Sequence, residues 1–472
     1  MKNRIKNLYE QAGNYFQYIL HENFFFISAI LITVISLIAR FSVSLYPTWD
    51  VVGYVFKWMT NIKEVGIANF YTIESDYSPL FLFLVGLYTF LPTGELITLN
   101  NYTFYQNWMY YVKGTYFAIE IVIAVGIYLL VKAITDDKKS AWLGYIIFLC
   151  LPVQFFNSAV WGNADSMYFA CFVFVLYSLV RNKGGWAFFL TGICFGLKLQ
   201  VVFVLPFLVY LIVSGKLQFY KLILLPLGLL TTFLPAYFCG AGFLEPFQFW
   251  IKQIGGYSLL TLGCANIWHL INLNGDAINQ FSTGATLIGL LLIGLFTAIV
   301  FARKIHLNKE NLVTVGVFLI GIVPMFLPHM HERYFYALDV FIVVYCLITK
   351  KHYWLIVLMQ LSSGIAYHNY LGGRHFIIAL GEDSVHIASW INIFVLSFLF
   401  CQLLKLPSEG TMEEFAEKYK RKILGLQSTD SSQNSASAEK DSGEISAVYA
   451  AVLPSPNEDL NERKDELIEN KD

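Results

Sequence analysis

YPTWDVVGYVFKWMTNIKEVGIANFYTIESDYSP, residues Tyr46 to Pro79, follows the first long apolar segment and decides how the rest of the chain is read. Asp50 and Asp76 stand near its two ends, and apolar residues recur between them at Val51, Tyr54, Val55, Trp58, Met59 and Ile62. That spacing gives a helix one greasy face, as in a short helix lying in a membrane interface. An acid just past a membrane exit, then an interfacial helix and an Asp-Tyr-Ser-Pro turn, suits chemistry on a lipid-linked substrate.

The chain around this stretch is 57% hydrophobic and 14% charged over 472 residues. Soluble domains carry about 25% charged residues, so the composition is that of an integral membrane protein. A net charge of −1 argues against a nucleic-acid partner. The seven cysteines lie singly, mostly in apolar runs and without metal-type spacing, and read as small buried hydrophobes. The apolar run beginning at Phe24 is long enough to span and lacks an A-x-A-like cleavage site, so it reads as an anchor.

Apolar segments of membrane length fall at 24–46, 108–131, 141–158, 164–180, 186–214, 219–241, 283–302, 311–328, 335–349, 353–369 and 386–404. Basic clusters at 2–6, 132–139, 181–183, 216–221, 303–309, 350–352 and 418–422 mark the cytoplasmic side. The segment 80–91 is too short to span and reads as interfacial or re-entrant. The segment 186–214 is long, is interrupted at Lys198-Leu199-Gln200, and has basic flanks at both ends, which predicts a helix out and a helix back. The expected fold is all-α, a polytopic bundle of about 12 spans with both termini inside. Its expected parts are a cytoplasmic N-terminus (1–23), a membrane domain (24–405) with interfacial helices in its first external loop (47–107), and an acidic, disordered cytoplasmic tail (406–472).

This topology sends most of the unusual polar residues to the outer face: Asp50, Asp76, Trp161, Asn163, Asp165, Lys198, Gln200, Glu245, His329, His331, Glu332, Arg333, Arg374 and His375. Ionisable groups at a membrane are costly and mark substrate paths. Each has a plainer explanation too. Asp50 and Asp165 suit helix caps, and Asp76 suits a turn. Lys198 suits an interfacial snorkel as well as it suits a phosphate. HMHERY (329–334) is the hardest to explain by packing; its H-x-H-E, with His329, His331 and Glu332, could ligate zinc in principle, but the spacing of a full zinc ligand set is not apparent. Arg40, inside the first span, can either snorkel or reach the site.

Taken in order, the Asp50 exit acid with GYVFKWM, the DYSP turn with Tyr77, WGNADS, Lys198-x-Gln200 and HMHERY resemble the GT-C membrane glycosyltransferases. The nearest likeness is to bacterial multi-pass relatives of the second mannosyltransferase of GPI-anchor synthesis, over roughly residues 20–405. The resemblance implies a multi-helix fold and inverting transfer of a hexose, of mannose or glucose type, from a polyprenyl-phosphate-sugar. The acceptor would be a glycan or a teichoic-acid-like hydroxyl, reached from the outer face of the plasma membrane. Asp50 would be the general base. Lys198, His329, His331 and Arg333 would lie near donor phosphate and sugar. Asn163 stands where relatives often have Gln, and DYSP lacks the second proline of the familiar DYPP.

The chemistry fits the residues without the family. A lipid phosphate leaves readily if cations hold its charge, and an acceptor hydroxyl becomes nucleophilic once a carboxylate takes its proton. One base suffices for a single displacement, so no cofactor or obligatory divalent metal is expected. The rival readings are a transporter or flippase of lipid-linked sugars, a surface-polysaccharide polymerase or ligase, and a scaffold whose tail recruits partners.

Overall fold

A computed structural model describes residues 23–248, 259–271, 276–372 and 384–410. The chain divides into two units, 1–416 and 417–472, and every described residue belongs to the first. Arg374 and His375, the N-terminal segment before residue 23 and the expected tail beyond residue 410 lie outside the described residues.

The described chain is overwhelmingly helical. Helix α1 (Phe24–Val43) is largely apolar and buries only Ala29 and Arg40, as a peripheral membrane helix does. The chain then makes a π-helical turn, Asp50–Val55, that runs into α2 (Phe56–Val65). Val51, Val55, Trp58, Met59 and Ile62 are buried on one face, as the spacing predicts. Tyr54 is a correction: the wide π turn swings it out to 43% exposure, and Phe56 takes a place in the core instead. Helix α3 (Pro79–Leu87) is too short to span. Its start explains the DYSP sequence: the Ser78 hydroxyl accepts from the Phe81 N–H at 3.3 Å, and Pro79 occupies the first turn, where its missing N–H costs nothing.

The all-α expectation misses two small sheets. Strands β1 (Leu96–Leu99) and β2 (Tyr102–Tyr105) pair antiparallel around Asn100 and Asn101, which both have positive φ and so form the two-residue turn that suits a hairpin. Helices α4 (Gln106–Thr135) and α5 (Lys138–Cys150) follow, then a helical turn Pro152–Phe155 continuing as π-helical Phe156–Trp161. Next come α6 (Asp165–Val180) and α7 (Gly184–Leu197). The break anticipated at Lys198 is there: Lys198 is extended, a 3-10 turn covers Leu199–Val204, and α8 (Leu205–Val213) resumes. Helix α9 (Leu224–Phe238) packs on α7 backbone to backbone. A Cβ on Gly192 would meet the Leu225 carbonyl oxygen at 1.9 Å, and one on Gly228 the Phe189 carbonyl oxygen at 2.0 Å, so the contact requires glycine on both helices.

Strand β3 (Thr261–Leu262) and helix α10 (Asp276–Ala302) precede α11 (Lys309–Phe326), which is capped by Asn308 and buried on every side. Strand β4 (Met330–His331) pairs parallel with β3. The described elements close with α12 (Tyr336–Thr349), α13 (Trp354–Gly372) and α14 (Ser384–Leu404). Helices α11 and α12 form the centre of the largest core, with α5, α6 and α8 packed around them. Among the described residues, six helices are long and apolar enough to cross a membrane: α1, α4, α9 with its preceding turn (Phe219–Phe238), α10, α11 and α14. The bent pair Lys138–Cys150 and Pro152–Trp161 adds a seventh if it counts as one span.

Candidate functional site

The site is assembled from chain breaks. Asp50 opens the π turn after α1, Trp161 closes the π turn before α6, Asp165 is the first residue of α6, Lys198 is the break after α7, and Glu332 and Arg333 follow β4. At each break the helix is interrupted, and a charged side chain or, at Trp161, an indole N–H donor sits in the gap.

Trp161 is the hub. It is fully buried, and its indole N–H donates to Asp50 Oδ2. The Arg333 guanidinium lies over the same ring, 5.3 Å from its centroid, and the Tyr370 ring stacks on it at 4.6 Å. Tyr370 also donates its hydroxyl to Asp50 Oδ1 at 3.2 Å. Asp50 therefore has both carboxylate oxygens fixed by aromatic donors while the residue stays partly exposed. It does not cap a helix: its side chain is spent on contacts 111 and 320 residues away in sequence.

Asp165 is the second anchor, and the capping explanation fails for it as well. Its carboxylate is completely buried and receives Lys198 Nζ at 2.5 Å on Oδ1. Oδ2 receives Asn157 Nδ2 at 3.1 Å and faces Arg333 Nε at 3.5 Å. Asn157 also donates to the Tyr367 hydroxyl at 3.0 Å. Lys198 is thus not a snorkelling residue. Its ammonium is turned inward, reaches Asn163 Oδ1 at 3.4 Å, and lies over Tyr77 and Tyr168 at 5.4 and 5.7 Å from their centroids. A narrow crevice lined by Tyr77, Phe81, Met167 and Leu197 also reaches Lys198. Gln200 is buried in the 3-10 turn just beyond.

Arg333 donates to Glu332 Oε1 at 2.6 Å, so it joins the two buried carboxylates. Burial opposes the charge on Glu332, but Arg333 and His331 outweigh it and hold the carboxyl below its usual range. Glu332 and Asp165 in turn keep Arg333 charged against its own burial. The His331 ring, 3.8 Å from Glu332, is driven below the ordinary histidine value by burial, only partly offset by that carboxylate. Burial also pushes the Tyr77 hydroxyl well above its usual range, so it is a donor and not a phenolate.

Other residues singled out in the sequence are used differently. His329 is a strut: held at positive φ, it has Nδ1 2.7 Å from the Leu259 carbonyl and Nε2 2.9 Å from the Ser282 hydroxyl. The tight turn into β4 points it toward α10 and not toward Asp50. Asp76 is exposed in the turn before Ser78. Glu245 caps its own turn through the Gly242 N–H at 2.8 Å. Arg40 neither snorkels nor joins the site; it pairs with Glu120 at 2.7 Å inside the bundle. Among the described residues, no three of His, Cys, Asp and Glu gather so as to hold a metal ion. Sequence reasoning missed Tyr370, Tyr367, Asn157 and Lys113, all polar positions set in apolar helices or turns.

The helices and this enclosed ionic network define a membrane-embedded helical protein with a charged site at one end of the bundle. No protein-family model matches the chain, and no characterised protein matches it in sequence.

Proposed function

We propose that the protein is an inverting glycosyltransferase of GT-C type, with about 12 spans, that moves a hexose from a polyprenyl-phosphate-sugar to an acceptor hydroxyl on the outer membrane face. The observation that carries this reading is Asp50, a half-exposed carboxylate held on both oxygens by Trp161 and Tyr370, beside two buried cations. In the reaction the acceptor oxygen attacks the anomeric carbon and its proton passes to Asp50. The bond from that carbon to the phosphate oxygen breaks, and its electron pair leaves with the lipid phosphate. Lys198 has given two of its three donors to Asp165 and Asn163, so a third remains for that phosphate. Asp165 and Glu332 keep the two cations charged and aimed without making the site an open positive patch, which favours a ligand that brings its own negative charge.

The test is turnover of radiolabelled polyprenyl-phosphate sugars by the full chain in lipid nanodiscs, wild type against Asp50→Asn. A positioned general base contributes about 10²–10⁴-fold, so the variant is expected to lose that much of kcat. Equal turnover by the variant removes Asp50 as base. If wild type consumes no donor while lipid-linked sugar crosses the bilayer, the protein is a transporter.

A further inference from the structure

Lys113 lies on α4, two turns into a helix of otherwise membrane-spanning character, and it is completely buried. No carboxylate among the described residues pairs with it. Its three N–H donors go to three backbone carbonyls: Tyr46 at 2.8 Å, Ala159 at 2.9 Å and Val160 at 2.9 Å. Tyr46 begins the strap that leads to Asp50, and Ala159 and Val160 end the π turn that delivers Trp161. The last carbonyls of a helical turn have no partner within the turn and carry partial negative charge, which a cation relieves. The next carbonyl along, that of Trp161, accepts from the Thr48 hydroxyl at 2.7 Å, so the strap and the turn are joined again one residue further on. Gly162 follows at φ +75°, and a Cβ there would press on Lys113 Cε at 2.8 Å and Val51 Cγ2 at 2.6 Å. The turn fits over the lysine stem only as glycine.

We infer that Lys113 is a positioning residue whose ammonium clamps the strap carrying Asp50 to the turn carrying Trp161, and so fixes the carboxylate on its indole donor. The inference rests on the reading of Asp50 as general base. It adds that the base's placement depends on a cation that never touches substrate. Misplacement of a reacting group by about 1 Å can cost about 10²-fold in rate.

The test compares wild type, Lys113→Met and Lys113→Gln as full chains in nanodiscs, first by hydrogen–deuterium exchange, which needs no substrate. In Lys113→Met, exchange of peptides covering 46–55 and 157–163 should rise together by about tenfold, with the core peptide 311–326 unchanged. Lys113→Gln keeps two donors and should loosen the same two peptides less. A rise along the whole chain would make the lysine a general folding requirement, and no joint rise of the two peptides in either variant would mean that it holds neither. Either result overturns the inference. In the donor assay, Lys113→Met should lower kcat about 10²-fold while donor KM moves by less than about threefold; a raised KM at unchanged kcat overturns it too. Absence of donor turnover by wild type would instead overturn the glycosyltransferase reading, and the exchange data would still judge the clamp.

Discussion

Both ends of the bundle are built from lysine, arginine, histidine and carboxylates, yet the two ends use them differently. At the end away from Asp50, loops 132–139, 303–309, 350–352 and 404–409 meet through Lys350–Asp137 at 3.7 Å and His306–Glu409 at 3.0 Å, and Lys132–Asp136 at 2.7 Å closes a pair within the first of them. Backbone groups complete the junction: Arg303 donates to the Leu404 carbonyl and Lys309 to the Ala133 carbonyl. The side chains of Lys132 and Asp136 are 28% and 97% exposed, whereas those of Lys198 and Asp165 are 9% and 0% exposed. Water and salt screen the first pair, so its charges are nearly independent of each other. The second pair has no water to fall back on, so removing either partner strands the other. Burial, more than residue type, separates a surface tie from a site.

The sharpest way to break this contrast is Asp165→Asn. It leaves Lys198 without its carboxylate and Arg333 with Glu332 alone, and should cost about 3–5 kcal/mol in detergent unfolding, because an uncompensated charge stays buried. Adding Lys198→Met to that variant should restore more than half of the loss. A single variant as stable as wild type would remove the distinction between the two ends.

Acid should act on the site end next. The His331 ring is held below its ordinary 6.5, so the fold binds fewer protons there than the unfolded chain, and stability falls as pH drops through that value. The Glu332 carboxyl is depressed too, and its contribution is lost further down, as pH falls through its folded value. Both act in one direction: full stability above about pH 6.5 and a progressive fall below it. Melting curves of His331→Gln should show the upper part of that fall flattened, beginning just below about pH 6.5. A curve identical to wild type would take the titration away from His331.

The smallest effect is expected at the other end. Lys350→Ala and His306→Ala should each leave the melting temperature within about 1 °C of wild type, and 1 M salt should erase even that. A large loss there would mean that exposure does not separate the two ends.

Much of the site was legible because its residues interrupt apolar runs. Asp50, Asp165, Lys198, Glu332 and Arg333 stand out for that reason, and so does the break at Lys198. What escaped reading was partnership. Tyr370 meets Asp50 across 320 residues, and nothing local to a Tyr on a long apolar helix announces it. His329 looked equivalent to His331, two positions away, until the turn's positive φ sent the two rings to different neighbours. Lys113 and Glu120 did carry a signal: two charges seven residues apart on one face of a helix that otherwise reads as a span, each needing a buried partner. The hairpin at 96–105 also had one, in the paired Asn100-Asn101 between short segments rich in aliphatic and aromatic residues.

The glycine contact between α7 and α9 has a mechanical side. With no side chain between the two backbones, the pair cannot slide or part by changing rotamers, so it moves as one stiff rod. Lys198 is fixed to the end of that rod, and Leu227 and Leu234 of α9 form an exposed apolar surface along it. The rod thus has two faces of opposite character, an apolar flank of the kind that lipid covers and, at its end, a buried ammonium.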